Sequence, residues 1–314
     1  MMNRPKCMFL SACIAVISSL LILPRTHCQT PTTLPPERIA QSASKINEVD
    51  FAGVSFSYDS SLASRIVSQM MPAVFAGMPA DIIPEHPSFT FVGYPRLHDP
   101  TLGDATIKVF SIAKFREAVS IASKEDAKHV VYPPNPPDWT NSFDEEVRVL
   151  KALLAAKPTD ATVGRFIARA RGQEGCSAAM PFLPMWEACM AFVAHVRYVN
   201  FKNGAGVFFL TQWDKETEQI SNQSLEYAFQ GMTADGRYWL YAEFAVAAPF
   251  LPQGDEPGVI KWNETNYLLS HRSKEYQAYV RPVLAKLEAL PDDQFQPNLK
   301  LLEQLIMTTQ VHSN

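Results

Sequence analysis

The sequence predicts an α+β fold: an antiparallel β-sheet, built as a meander of hairpins, that is flanked by helices and followed by two C-terminal helices. Three observations favour this class. The 314-residue chain is 47% hydrophobic and 19% charged, which excludes a disordered protein. Four strand-like runs with short turns lie together between residues 195 and 247. Apolar residues with helical spacing stand on either side of these runs, and such grouping is typical of α+β proteins.

The first 28 residues have the layout of a secretory signal peptide. Arg4 and Lys6 supply the positive start, an apolar run follows over residues 7–23, and Thr26 and Cys28 are small residues suited to a cut after Cys28. We therefore expect a secreted or periplasmic protein. The alternative is a membrane anchor through residues 7–23, because this run just reaches the length of a spanning helix. Lipidation of Cys28 is a third, less favoured interpretation.

Residues 29–50 are rich in Thr, Pro, Ser and Gln and predict a flexible tether. Residues 51–314 are expected to form a single α+β domain with an excursion at about 157–194. Alternation of Val54, Phe56 and Tyr58 predicts the first strand. Short strands are then expected at 88–94 and 106–112, followed by one helix after Ile112 and another over about 143–156.

The excursion carries the two cysteines that would remain after signal cleavage, Cys176 and Cys189. Residues 157–182 are polar and poorly periodic, and residues 184–194 predict a helix. In an oxidising compartment two cysteines favour a disulfide. It would close a loop of about 14 residues, worth about 3 kcal/mol in the chain-entropy model. Two separate buried thiols are the alternative.

The strongest strand signals form two hairpins. Asn203-Gly204 separates runs at 196–201 and 207–213, and this dipeptide is typical of tight turns because both residues tolerate positive φ. Runs at 225–231 and 237–246 follow. In the last run, Leu240, Phe244 and their alternates point to one side of the sheet, and Arg237, Trp239, Tyr241 and Glu243 point to the other.

The C-terminal region predicts two helices. Apolar residues recur at i, i+3 and i+4 from Tyr276 to Leu290, where Pro282 is expected to kink the helix, and again from Leu299 to Ile306.

Charge and motifs exclude several functions. Lys+Arg total 28 and Asp+Glu 32, and loss of the signal removes three cations and no acid, leaving 25 against 32, a net of −7. Without a basic cluster, nucleic acid is not an expected partner. The chain has no H-E-x-x-H, C-x-x-C, Walker-type or G-x-G-x-x-G motif, so we expect no metal and no cofactor. Catalytic triads built from distant residues leave no such signature.

The aromatic-rich hairpins supply the candidate site. Arg237, Trp239, Tyr241 and Glu243 could line a ligand groove. The favoured alternative is that helices cover the sheet and bury the aromatic side chains. A polar row accompanies them and is either a charged groove or a solvated face: Arg197, Gln212, Glu226, Gln230, Arg237 and Glu243.

The favoured interpretation of His195 is a partly buried histidine that hydrogen-bonds to backbone. Its alternative is the centre of a catalytic site assembled from distant residues, with Asp214 or Glu243 as carboxylate partner, and no catalytic residue is assigned. A metal site from His86 and His98 is much less favoured, because no carboxylate ligands accompany them.

Several segments resemble a family of exported bacterial proteins that has no assigned activity. They are GVSFSYDSSLA at 53–63, SFTFVGYP at 88–95, VRYVNFKNGAGVFFLTQW at 196–213 and LEYAFQGMTADGRYWLYAEFAVAAPFLP at 225–252. The resemblance implies export and bacterial origin and carries over no catalytic residue. Residues 53–58 and 229–238 also resemble the PsbP/Mog1-type fold, an antiparallel sheet between helices, whose members are mostly binding or assembly modules.

These observations favour an exported, non-enzymatic binding or assembly module whose partner is an unidentified protein or small molecule. Contact with a membrane is expected only if the N-terminal segment is retained. The alternative is an exported hydrolase with a site assembled from distant residues around His195.

Overall fold

The fold is a sandwich of three layers around a seven-stranded antiparallel sheet. Three helices cover one face of this sheet, and two C-terminal helices with a small three-stranded sheet cover the other. The computed structural model describes residues 45–75, 82–95, 105–129, 139–171, 180–183, 189–214, 218–254 and 274–312. The predicted α+β class, with its antiparallel sheet and two C-terminal helices, is confirmed.

The large sheet has the strand order β3-β6-β7-β13-β12-β10-β9, and the small sheet has the order β1-β2-β14. Two further two-stranded pairs are β4-β5 and β8-β11. The strands are β1 Ile46–Phe51, β2 Val54–Asp59, β3 Arg65–Met71, β4 Val74–Phe75, β5 Ile82–Ile83, β6 His86–Val92, β7 Thr106–Ser111, β8 Cys189–Met190, β9 Ala194–Phe201, β10 Gly204–Thr211, β11 Trp213–Asp214, β12 Glu226–Thr233, β13 Tyr238–Ala245 and β14 Gln310–Val311. The helices are α1 Ile112–His129, α2 Trp139–Ala156, α3 Asp160–Arg171, α4 Lys274–Ala289 and α5 Leu299–Thr308.

Strand β13 shows how the sequence builds both cores. Successive side chains of a strand point to opposite faces. Leu240 and Phe244 therefore pack against the core that contains α4 and α5, whereas Trp239 and Tyr241 pack into the core beneath α1, α2 and α3. Both faces need apolar side chains, which explains why apolar residues dominate β10, β12 and β13.

The β9–β10 turn does not have the positive φ angles that the Asn203-Gly204 sequence predicts. The β9–β10 turn is Lys202-Asn203, and neither residue has positive φ. Asn203 instead serves through its side chain: its Nδ2 donates to the Val311 carbonyl, and its Oδ1 accepts from the Val311 N–H at 3.1 Å. A two-residue turn in which both residues have positive φ lies between β1 and β2, at Ala52 (φ 51°) and Gly53 (φ 78°).

Three local predictions were wrong. Residues 46–50, assigned to the tether, form most of β1, because they pair with β2. The excursion contains the helix α3. The sequence did not predict it because only two of its residues, Val163 and Ile167, are buried, and polar residues surround them in the sequence. Residues 189–190 form strand β8 rather than a helix, since they pair with β11. The rest of the proposed tether and residues 172–179 and 184–188 lie outside the described residues.

Close approach of an aromatic ring requires glycine in β10. A Cβ on Gly206 would overlap the ring of Phe229 and lie 2.8 Å from the Gln230 carbonyl oxygen. In α3, a Cβ on Gly164 would meet no atom within 4 Å. These two glycines therefore form a matched pair for substitution.

We expect Gly206→Ala to lower the free energy of unfolding by about 1–3 kcal/mol, because the core must shift to accept the methyl group. Gly164→Ala should raise it by about 0.5–1 kcal/mol, through helix propensity alone. Urea denaturation followed by circular dichroism measures both changes. Equal effects of the two substitutions would contradict the packing around Phe229.

Candidate functional site

The structure separates the four predicted groove residues. Trp239 and Tyr241 are both 0% exposed and belong to the core beneath the helices, so these aromatic side chains do not line an open groove. Arg237 is exposed at the start of β13, and Glu243 is half-buried. The favoured alternative, in which helices bury the aromatics, thus describes Trp239, whose Nε1 donates to Gln230 Oε1 at 2.5 Å.

Tyr241 and Glu243 nevertheless lie together, in a buried network that we call the carboxyl cluster: Trp213, Glu226, Tyr241 and Glu243. In the β12–β13 register Ala228 faces Glu243 and Glu226 faces Ala245, so the two carboxyl groups occupy diagonal positions on one face. The Tyr241 hydroxyl donates to Glu243 Oε2. The Trp213 Nε1 donates to Glu226 Oε2 at 3.0 Å.

Burial raises the pKa of Glu226 well above the usual glutamate value. The negative charge of Glu243 and a hydrogen bond between the two carboxyl groups raise it further, and the Trp213 hydrogen bond only partly opposes this. Burial and the neighbouring carboxyl group therefore both favour the protonated form of Glu226. Burial likewise raises the pKa of the Tyr241 hydroxyl, which remains a hydrogen-bond donor.

Three half-buried side chains form what we call the rim of the cluster: Lys108, Glu243 and Trp213. Lys108 on β7 is the cross-strand neighbour of Tyr241, and its ammonium nitrogen lies 5.4 Å from the centroid of that ring. Burial lowers the pKa of Lys108, while Glu243 acts to raise it. Phe182 packs against two of these residues: its ring centroid lies 4.3 Å from that of Trp213 and 5.2 Å from that of Tyr241. The rim thus presents an ammonium group, a carboxyl group and an indole side by side.

Gln230 extends this polar face with an unused donor. Its side chain is 0% exposed, and its Oε1 accepts from Trp239 and, at 3.5 Å, from the Leu183 N–H. Its Nε2 has no hydrogen-bond partner within the described part of the chain. A buried donor without a partner is unfavourable, and such groups are concentrated at functional or strained sites.

His195 pairs with a carboxylate other than the two predicted. Its Nε2 lies 2.8 Å from Asp292 Oδ1, and its backbone N–H donates to Glu288 Oε1 at 2.9 Å. Its side chain is 1% exposed, and its φ is 53° at a bulge in β9. Burial raises the pKa of Glu288 to about 7, and the neighbouring Asp160 adds to this rise. Glu243 instead bonds to Tyr241, and the Asp214 side chain lies outside the described residues.

No described histidine contacts both a carboxylate and a hydroxyl group. His195 Nδ1 has no partner among the described residues, so no serine or threonine hydroxyl reaches the second ring nitrogen. His312 contacts a hydroxyl group but no carboxylate: its Nε2 lies 3.3 Å from Ser55 Oγ, and it forms no bond to a carboxylate among the described residues. His86 bonds to the Pro84 carbonyl through Nδ1. His98 and His271 lie outside the described residues.

Cys176 lies outside the described residues, as does the side chain of Cys189, so the predicted disulfide stays a prediction. Across the residues with defined positions, no group of three or more His, Cys, Asp or Glu side chains is arranged to hold a metal ion. None of the helices given above is long and apolar enough to cross a membrane.

Sequence reasoning named Glu226, Tyr241 and Glu243 among polar or aromatic residues of the hairpins but missed Lys108. The available signal was a lysine at an alternating position between Thr106 and Phe110, within a predicted strand. That signal gains meaning only once β7 is known to pair with β13.

Comparison with protein-family models, with curated proteins and with solved structures finds no match to this chain. The candidate site therefore rests on its own geometry.

The raised pKa of Glu226 predicts a specific pH dependence. The folded state favours the protonated carboxyl, so the stability that it contributes is present at acidic pH and is lost as pH rises above the usual glutamate value. Glu226→Gln mimics the protonated form. The variant should gain stability relative to the natural chain as pH rises from about 5, by at most about 1.4 kcal/mol per pH unit.

Urea denaturation at several pH values tests this, with Glu117→Gln on the exposed face of α1 as the matched control. Parallel pH profiles for the natural chain and Glu226→Gln would show that Glu226 does not carry the buried proton.

Proposed function

We propose that this protein is an exported binding module whose ligand contacts the rim of the carboxyl cluster. The observation that carries the proposal is the pair of neighbouring carboxyl groups, the buried Glu226 and the half-buried Glu243, on one face of the sheet near the Lys108 ammonium. The ligand is a small polar molecule with both donors and acceptors, because the rim offers one group of each charge.

The free-energy cost of burying polar and charged groups supports a binding role for this cluster over a purely structural one. Replacing buried polar pairs by apolar residues is often neutral or stabilising, so a fold does not need them for stability. Titratable groups with shifted pKa values are concentrated at functional sites. Three such groups, Glu226, Tyr241 and Lys108, are contiguous here. The half-buried members, Lys108, Glu243 and Trp213, are the ones that a ligand can reach.

Export is supported by the sequence alone. Residues 1–28 have the signal layout, and cleavage there would give a secreted or periplasmic chain that starts at Gln29. The oxidising environment would favour a disulfide between Cys176 and Cys189. The resemblance to exported proteins adds a bacterial origin to the proposal.

A second candidate is an enzyme that uses the two carboxyl groups as acid and base. It is favoured by one observation: burial raises the pKa of Glu226 well above the usual glutamate value while a second carboxyl group lies beside it. A carboxyl group with a raised pKa beside another carboxyl group is a common basis of such chemistry. The alternative centred on His195 has less support, because that ring is enclosed and paired with Asp292.

The export proposal predicts the intact mass of the protein isolated from its native source. The mass should correspond to a chain that begins at Gln29, and it should rise by about 2 Da on reduction as one disulfide gains two hydrogens. A full-length mass with no change on reduction would instead support a retained N-terminal segment and no disulfide between Cys176 and Cys189.

The binding proposal predicts ligands that depend on the rim. A library of small zwitterionic and polar molecules is screened by ligand-observed NMR against the chain from Ala43 to Asn314. Hits should weaken at least about tenfold in Glu243→Gln and in Lys108→Met, because each variant removes one charged contact. Glu117→Gln should bind as the natural chain does. Hits that are indifferent to both rim variants would reject this face as the site.

A further inference from the structure

Three carboxyl groups from different parts of the chain meet the edge strand β9 at His195 and Val196. Glu288 Oε1 accepts from the His195 N–H at 2.9 Å, and Asp160 Oδ1 accepts from the Val196 N–H at 2.6 Å. Asp292 Oδ1 lies 2.8 Å from the ring nitrogen Nε2 of His195. Because Glu288 and Asp160 bind consecutive backbone N–H groups, their side chains are neighbours, and a hydrogen bond joins the two carboxyl groups.

A hydrogen bond between two carboxyl groups requires a proton on one of them. The helix dipoles favour Glu288 as its carrier. Asp160 is the first residue of α3, where the partial positive charge of the helix N-terminus favours a carboxylate. Glu288 is in the last turn of α4, where the partial negative charge disfavours one. Burial and the negative charge of Asp160 act in the same direction and raise the pKa of Glu288 to about 7.

The other charged groups around this pair offset its charge only in part. Arg197 of β9 acts to lower the pKa of Glu288, but its Nη1 lies 3.8 Å from Asp160 Oδ2, beyond hydrogen-bonding distance. His195 is engaged with Asp292, which lies in the short 3-10 turn after α4. Once Glu288 loses its proton, two neighbouring carboxylates share one guanidinium group.

The pair joins three elements that are distant in the sequence. Strand β9 is at one end of the strand order of the large sheet, so no described strand pairs with its outer side. Its N–H groups at the bulge therefore need other acceptors, and Glu288 and Asp160 supply them from the C-terminus of α4 and the N-terminus of α3. Separation of these helix ends from β9 would expose the N–H groups to water.

We propose that Asp160 and Glu288 form a pH-sensitive clasp, which holds the ends of α3 and α4 on the edge strand β9 in acidic solution and loosens as the solution approaches neutral pH. The sign follows from the preference of the closed clasp for protonated Glu288. The stability that this group contributes is fully present below the usual glutamate pKa of about 4.3. It is lost as pH rises to about 7 and then changes no further.

Hydrogen exchange of the His195 and Val196 amides, measured by NMR on the labelled protein, reports on the clasp. The rates are corrected for the pH dependence of intrinsic exchange. We expect both protection factors to fall at least about tenfold between about pH 5 and pH 7.5, because one titrating group changes the opening equilibrium by at most about tenfold per pH unit. The carboxyl carbon of Glu288 should titrate with a midpoint of about 7.

Glu288→Gln imitates the protonated side chain at every pH. Its carbonyl oxygen can accept from the His195 N–H, and its amide group can donate to Asp160. We expect this variant to keep the protection of the acidic state up to about pH 8. Glu303→Gln is the matched control, because Glu303 is also half-buried but bonds to the Tyr227 hydroxyl. The control should keep the pH profile of the natural chain.

Three results would overturn the proposal: protection of both amides that does not change with pH, a Glu288→Gln variant with the natural pH profile, or a titration midpoint of Glu288 at the usual glutamate value. The second result would assign the pH dependence to another group, such as His195. Glu226→Gln should leave the profile at Val196 unchanged. Failure of the clasp is therefore distinguishable from failure of the proposed function at the carboxyl cluster.

Discussion

Burial of the central strands on both faces is the constraint on which the rest of the molecule depends. Every residue of β12 is buried, and its neighbour β13 is buried over most of its length. A polar side chain at such a position must find its partner inside the protein, because water is excluded. Gln230 Oε1 meets this demand through Trp239, and Glu226 meets it through Trp213 and the carboxyl group of Glu243. The raised pKa of Glu226 is thus a consequence of sheet architecture.

The same architecture makes the carboxyl cluster a property of the whole fold. Its glutamates lie in the β12–β13 hairpin, which pairs locally, but Lys108 arrives on β7 from far earlier in the chain. Phe182 comes from the segment between α3 and β8. Hydrophobic burial by α1 and α2 on this face holds these segments against one another. No single hairpin could present the ammonium, the carboxyl groups and the indole together.

What the sequence could predict follows from how local each signal is. The alternating pattern of β13 correctly divided Leu240 and Phe244 from Trp239 and Tyr241, and the period of α4 and α5 was equally clear. Strand β1 was missed because half of its side chains face solvent, and α3 because only Val163 and Ile167 mark its buried stripe. Pairing between distant segments leaves no local pattern. Hence Lys108 beside Tyr241, and Asp292 beside His195, could not be foreseen.

The two acidic networks of the protein bond to different kinds of groups. Around His195, the carboxylates satisfy backbone groups: Glu288 accepts from the His195 N–H, and Asp160 accepts from the Val196 N–H at 2.6 Å. These bonds stabilise a bulge in which His195 has positive φ. The network therefore has a structural role, which is to support the edge strand β9. In the carboxyl cluster, the described bonds of Glu226 and Glu243 join side chains only. No described backbone group there requires them, so these carboxyl groups do not support the strand backbone as Glu288 and Asp160 do, and the proposed ligand would account for their position beside Lys108.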